Sequence, residues 1–251
     1  MLSKTRLKYI QTLGQKKLRD SEGLFIAEGP KLVEELLKEP AVRAREVLAL
    51  GSWIEKQQPS PGNLPFTEIT VEELERISQL STPNQVLAIL EQFPDNPVTA
   101  KKGRFTLALD DIRDPGNLGT IIRLADWYGI DTIVCSMATA DLYNPKVVQS
   151  TMGSIARVSL HYTELRTWLQ KQEVPVYAAM LNGRSMYELP ELKEGILVVG
   201  NESQGIQGPV LEAVDERITI PRIGKAESLN AALATGILLS HLMKGSFSGT
   251  E

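Results

Sequence analysis

The chain has 251 residues, 42% of them hydrophobic and 23% charged, and a formal net charge of −4. That length allows one large domain or two modest ones, and that composition is expected of a soluble globular protein. One cysteine excludes an internal disulfide framework and suits a reducing cytoplasm, two isolated histidines are too few for a metal cluster, and every apolar stretch is interrupted before membrane-spanning length.

Net charge alone argues against a nucleic-acid partner, but its distribution does not. Lys4, Arg6, Lys8, Lys16, Lys17 and Arg19 fall within residues 1–19, which hold no acidic residue. Such a patch can bind phosphates whatever the overall sign, and a solvated helix face would look the same. Ser3 is placed to cap a first helix whose Leu7, Ile10 and Leu13 share one face, leaving the basic residues outside. Residues 24–27, 47–50, 66–69 and 85–90 read as strands. Helices are expected from Gly29-Pro30 through Leu37 and over 71–77. Residues 1–98 therefore form a first, small α/β domain, and 93–104, with two prolines and a glycine but no apolar periodicity, reads as a linker.

The second domain, 104–251, opens with strand 105–109 and a turn containing Pro115-Gly116. Leu118, Ile121, Ile122 and Ala125 then mark the buried stripe of a helix, with Arg123 off it. Strands are expected at 132–135 (holding Cys135 as a buried structural thiol), near Val158, at 174–180, at 196–199 and at 218–220. Helices are expected from Asn144-Pro145 and over 163–170. His161 and His241 receive no chemical role. The last helix is expected from Leu229 to Leu242, with Ser228 as its cap; it is apolar or small almost all round and must be covered on most sides. Repeated strand–helix units with fully apolar strands imply a parallel sheet covered on both faces.

Three polar joints, 110–123, 200–205 and 221–230, follow strands of this sheet, at the edge where open α/β folds bind ligands. A dinucleotide fingerprint needs a middle glycine that Gly200-Asn201-Glu202-Ser203-Gln204-Gly205 lacks, which removes a nicotinamide oxidoreductase. A phosphate-binding loop needs Gly-Lys-Ser/Thr, whereas Gly205 precedes Ile206.

The joints resemble the three motifs of the SpoU family of RNA 2′-O-ribose methyltransferases, of the SPOUT superfamily. The first is Asn117-x-Gly119-x-x-x-Arg123, the second Gly200-x-Glu202-x-x-Gly205, and the third Ile220-Pro221-x-x-Gly224-x-x-x-Ser228-Leu229-Asn230. The likeness covers 105–243. Phe25-Ile26-Ala27-Glu28-Gly29 is similar to a ribosomal-protein-like RNA-binding domain often fused to this family, which tips the basic arm towards RNA. Two positions depart from the pattern: Arg222 stands where the family usually has methionine, and Ala231-Ala232 replaces Val-Ser.

The resemblance implies S-adenosyl-L-methionine as methyl donor, no metal, and a structured RNA as acceptor; ribosomal and transfer RNA both fit the motifs, with ribosomal RNA favoured. It also implies a C-terminal trefoil knot and a homodimer, which the nearly all-apolar last helix supports independently. Leu181, Gly200, Ile220 and Leu229 would line the cofactor pocket. Arg123 would act at the reacting hydroxyl, with Asn117, Glu202, Ser228 and Asn230 orienting it and the ribose. A free guanidinium has a pKa above about 12, so Arg123 serves better as a clamp on the target phosphate and stabiliser of the alkoxide than as a general base. A non-catalytic RNA-binding or ribosome-assembly protein on the same fold is the rival, and the intact polar set argues against it.

Overall fold

The Ser3 hydroxyl accepts from the Arg6 N–H at 3.2 Å and so opens α1 (Lys4–Thr12), whose Leu7 and Ile10 are buried. In the computed structural model, which describes residues 1–57 and 66–247, α2 (Lys16–Glu22) follows. The chain continues through β1 (Leu24–Glu28), α3 (Pro30–Leu37), β2 (Ala44–Ala49), α4 (Gly51–Ile54), β3 (Phe66–Glu68), α5 (Val71–Ile77) and β4 (Val86–Glu91). Thr70 and Glu73 form a reciprocal capping box on α5. The sheet order is β1-β4-β2-β3, with β4 antiparallel to both neighbours and β2 parallel to β3. The expected alternating unit is thus a mixed sheet, because the last strand inserts between the first two. Leu7, Ile10, Leu13, Ile26, Leu48 and Ile89 belong to its core.

The second sheet begins with β5 (Phe105–Asp110), α6 (Pro115–Trp127) and β6 (Thr132–Ser136). The chain then returns to the first unit: Asp141–Ala156, carrying α7 (Pro145–Thr151), clusters with Met1–Pro94. Helix α7 packs on β1, and the rings of Tyr143 and Phe25 lie 5.0 Å apart. A cut between the units therefore does not fall at one point in the sequence.

The remaining elements are β7 (Ser159–Thr163), α8 (Leu165–Leu169), β8 (Val176–Ser185), β9 (Gly195–Gly200), α9 (Gly208–Leu211), β10 (Glu216–Thr219) and α10 (Ala231–Leu242). They complete a six-stranded sheet of order β10-β8-β9-β5-β6-β7, parallel at every pairing. Strand β5 sits near the middle and is buried throughout, as a strand covered on both faces must be.

Two details shape the carboxyl edge. Between Arg217 and Ile218 the partner of β10 jumps from Ala178 to Arg184, so β8 makes an excursion while β10 advances one residue. Gly183 closes that excursion, and a Cβ there would lie 2.6 Å from the Arg217 carbonyl oxygen. Only glycine lets the two backbones pass so closely. Helix α10 is capped by Asn230, whose Oδ1 accepts from the N–H groups of Ala232 and Leu233 at 3.0 and 3.2 Å. The expected cap, Ser228, lies exposed in the preceding loop, because an asparagine one step before the apolar run can do the same work. Among the described residues, no helix is long and apolar enough to cross a membrane.

Candidate active site

Strands β5 and β9 are neighbours, with Asp110 opposite Gly200, so the first two polar joints emerge side by side. The third reaches them through α10, which packs against α6. This brings together one residue from each joint. Asn230 Nδ2 donates to Asn117 Oδ1 at 2.8 Å, and Asn117 Nδ2 donates to Glu202 Oε1.

The direction of this chain follows from its start. Asn230 must turn its oxygen towards the α10 backbone to cap it, which leaves its NH2 facing Asn117. Asn117 must then accept with its oxygen and point its own NH2 at the carboxylate of Glu202. The Asn117 backbone is fixed as well, donating at 2.8 Å to Asp114, the N-cap of α6. A helix cap thus sets the orientation of a carboxylate two residues away in the network.

A second set of bonds holds the first two joints together. Asn201 Nδ2 donates to the Asp111 carbonyl at 3.0 Å, while Asn201 Oδ1 accepts from the N–H groups of Ser203 and Gln204. Asp111 is buried at φ +58°, in the left-handed region, and donates its N–H to Ser136 Oγ at 2.9 Å. Asp110 Oδ2 accepts from the Gln207 N–H at 2.7 Å; burial pushes this carboxyl above the ordinary aspartate value, against the lowering effect of Gln207 and Ser136. Asp110, Asp111, Asp114 and Asn201 were not singled out from the sequence, although an asparagine opening a Gly-bounded polar turn is a recognisable signal.

A cavity of about 480 Å³ opens at the same edge. Leu181, Gly200, Ile220 and Leu229 all line it, as do Glu202 and Ser228; Asn117, Arg123 and Asn230 do not. Leu181 and Leu229 are 67% and 40% exposed, a large apolar area for side chains at the mouth of a pocket. Thr219 Oγ1 donates to the Leu181 carbonyl at 3.1 Å and ties two walls together. The volume lies within the range of roughly 300–1,000 Å³ for small-molecule sites, and apolar walls with main-chain polar groups suit an adenosine. The residues present therefore fit S-adenosylmethionine. The reason for Gly200 differs from close approach of a ligand: a Cβ there would collide with the backbone of Gly205 and Ile206.

Arg123 is exposed on α6 and has no hydrogen bond or ion pair among the described residues. Helical spacing groups it with Gly116, Thr120 and Trp127, away from Asn117, whose amide is engaged by Glu202 and Asn230. The orienting of Arg123 by Asn117 and Glu202 is therefore absent from this arrangement. Ser228 likewise stands outside the network.

The basic arm divides. Lys4, Lys8 and Lys17 are exposed. Arg6 pairs with Glu46 and lies over the Tyr9 ring at 5.0 Å, and Lys16 pairs with Asp20 at 2.8 Å. Arg19 is a correction: it is 3% exposed, and its guanidinium donates to the carbonyls of Leu13 and Gly14 and to Asp141. It is a structural residue of the first unit, unavailable to RNA. Among the described residues no cluster of histidine, cysteine, aspartate or glutamate could hold a metal.

A profile of the SpoU rRNA Methylase family matches residues 104–240, and one of an MRM3-like substrate binding domain matches residues 4–88. The chain is 34% identical over 243 residues to 23S rRNA (guanosine(2553)-2′-O)-methyltransferase RlmP of Bacillus subtilis, covering 94% of this chain and 95% of that protein. A TrmH-family structure from Porphyromonas gingivalis is similar with TM-score 0.86 and 37% identity, over 96% of this chain and 98% of its own. An AdoMet-bound rRNA methyltransferase from Sinorhizobium meliloti is similar with TM-score 0.85 and 31% identity, over 98% and 97%.

Proposed function

The chain belongs to the SpoU rRNA methylase family, and we propose that it moves a methyl group from S-adenosylmethionine to a ribose 2′-hydroxyl of ribosomal RNA in the cytoplasm. The observation that carries this reading is the directed Asn230–Asn117–Glu202 chain, whose Glu202 end lines the apolar cavity. When bound, the cofactor supplies an already activated methyl, so the protein's task is alignment, which can contribute about 7–11 kcal/mol.

Glu202 is held at the cavity wall in one orientation and is suited to fix a ribose hydroxyl beside it. Arg123, exposed and without a partner among the described residues, is suited to grip the RNA phosphate next to that ribose and to stabilise the alkoxide as the hydroxyl proton passes to that phosphate and the methyl leaves the cofactor sulfur for the oxygen. Lys4, Lys8 and Lys17 supply sequence-independent phosphate contacts from the first unit. A homodimer built over α6 and α10 would cover Trp127 and Leu233, which are 82% and 55% exposed. Membership of the family and likeness to its solved structures support a trefoil knot in the C-terminal segment.

The test is methyl transfer from labelled S-adenosylmethionine to ribosomal RNA, followed by mapping of 2′-O-methyl nucleosides. One new mark at a single nucleotide is expected. Binding of the RNA without transfer would favour the non-catalytic assembly protein.

A further inference from the structure

Arg222, the side chain that departs from the family pattern, lies on the wall of the cavity. It is the one cation among the cavity's lining residues, where Glu202 and Glu227 supply the negative charge. Its Nη1 donates to the carbonyls of Ala226 and Glu227 at 2.8 and 3.4 Å, pinning the guanidinium across its own loop. That leaves Nε and Nη2, the side edge of the guanidinium, with no hydrogen bond among the described residues. Two parallel N–H groups on such an edge match the two oxygens of a carboxylate.

We propose that Arg222 is a binding residue for the α-carboxylate of the cofactor's amino-acid end. The inference rests on the cofactor reading above and adds to it. S-Adenosylmethionine brings two positive groups, sulfonium and ammonium, and one negative group, the carboxylate. The two glutamates can balance the positive groups, and among the lining residues Arg222 alone carries the charge to balance the carboxylate. Because Nη1 is already anchored, little side-chain freedom remains to be lost when the other edge engages, which favours a guanidinium over an ammonium here. An unbranched methionine at this position would leave the carboxylate to water and main-chain N–H groups.

The experiment compares two ligands by calorimetry: S-adenosylhomocysteine, which carries the amino-acid end, and 5′-methylthioadenosine, which has the same adenosine and sulfur without it. A charge-assisted bidentate contact predicts that Arg222→Met weakens S-adenosylhomocysteine by roughly 10-fold or more while leaving 5′-methylthioadenosine within about 2-fold. Arg222→Lys should recover only part of the loss. Equal weakening of both ligands would mean that Arg222 merely shapes the loop, and the proposal fails. Unchanged binding of both, with weaker RNA binding, would assign the guanidinium to a phosphate instead and equally overturn it. If wild-type protein binds neither S-adenosylmethionine nor either ligand, the cofactor reading itself falls, an outcome distinct from the other two.

Discussion

Asn230 and Asn117, 113 positions apart in the chain, are joined by a 2.8 Å hydrogen bond from Asn230 Nδ2 to Asn117 Oδ1. The same Asn230 caps α10 with its oxygen, so one amide serves helix stability with one end and the site with the other. The two duties separate by substitution. Asn230→Asp keeps an acceptor for the cap but removes the donor, and Asn117 must then turn its NH2 away from Glu202 to meet the new carboxylate. Thermal stability should be retained within a few degrees, while single-turnover transfer falls about 100-fold or more, as for loss of an oriented polar group in an active site. Asn230→Ala should in addition lose about 1 kcal/mol through the cap. Wild-type transfer by Asn230→Asp would show that the polarity of the network is irrelevant to the chemistry.

Gly200 tests a different constraint. A Cβ there meets the main chain of Gly205 and Ile206, not open cavity. Gly200→Ala should therefore destabilise the protein by about 1–3 kcal/mol, the usual range for overpacking, and weaken cofactor binding in parallel. Thermal melts with and without S-adenosylmethionine read both effects. A normal melting temperature with binding lost would mean that the added methyl meets the ligand and leaves the turn intact.

What the sequence carries and what it withholds differ by physical kind. The strands and the α6 stripe were legible because burial writes a period into the residues; Leu118, Ile121, Ile122 and Ala125 are all fully buried. The three joints were legible as residue types at fixed spacing. Their hydrogen-bonded order was not, since which of two asparagines donates depends on a cap that only the folded helix defines. Arg19 was misread for a related reason: charge is visible in a sequence, but its burial beside Asp141, 122 positions away, is not. Helix α2, with the sequence Lys-Lys-Leu-Arg-Asp-Ser-Glu, lacks an apolar stripe, and its one buried side chain is that same arginine. The insertion of β4 between β1 and β2 leaves no local signature at all.

The buried carboxyl of Asp110 gives a pH dependence of definite sign. Burial raises it above its ordinary value of 3.8, so the folded state holds this proton more tightly than the unfolded state. Its contribution to stability is therefore fully present below about pH 3.8 and is lost as pH rises through the raised folded value. Asp110→Asn keeps an acceptor for the Gln207 N–H and does not titrate. The melting temperature of wild type minus that of Asp110→Asn should fall as pH rises through and above the carboxylate range, then level off. A difference that grows with pH would mean that Gln207 and Ser136 stabilise the carboxylate more than burial disfavours it.

Two classes of basic residue in the first unit should respond oppositely. Arg19→Ala breaks a buried pair and leaves Asp141 Oδ2 and the carbonyls of Leu13 and Gly14 without the guanidinium donor, which costs about 3–5 kcal/mol in comparable cases. Lys4→Glu, Lys8→Glu and Lys17→Glu combined should leave stability nearly unchanged but weaken RNA binding and flatten its salt dependence, since fewer counterions are released. Point changes are preferred to deletion of residues 1–98, which would strip β1 from α7 and expose its apolar side. If the triple variant binds RNA with the wild-type salt slope, these lysines are a solvated face.

The α6 stripe turns Leu118, Ile121, Ile122 and Ala125 inward and leaves Arg123 exposed, outside the cavity lining and outside the asparagine network. A residue so placed cannot contribute to cofactor affinity by contact within the chain. Arg123→Ala should therefore keep both S-adenosylmethionine binding and melting temperature. If its guanidinium grips the target phosphate and steadies the alkoxide, the same variant should lose transfer by several orders of magnitude in single-turnover measurements with the true RNA. Arg123→Lys should restore little, because an ammonium cannot reproduce a planar, forked contact with a phosphate. Near-normal turnover by Arg123→Ala would reduce the residue to a surface arginine. Loss of cofactor binding alongside would show instead that Arg123 reaches the cavity by a route outside the single chain, such as a second copy closing over α6.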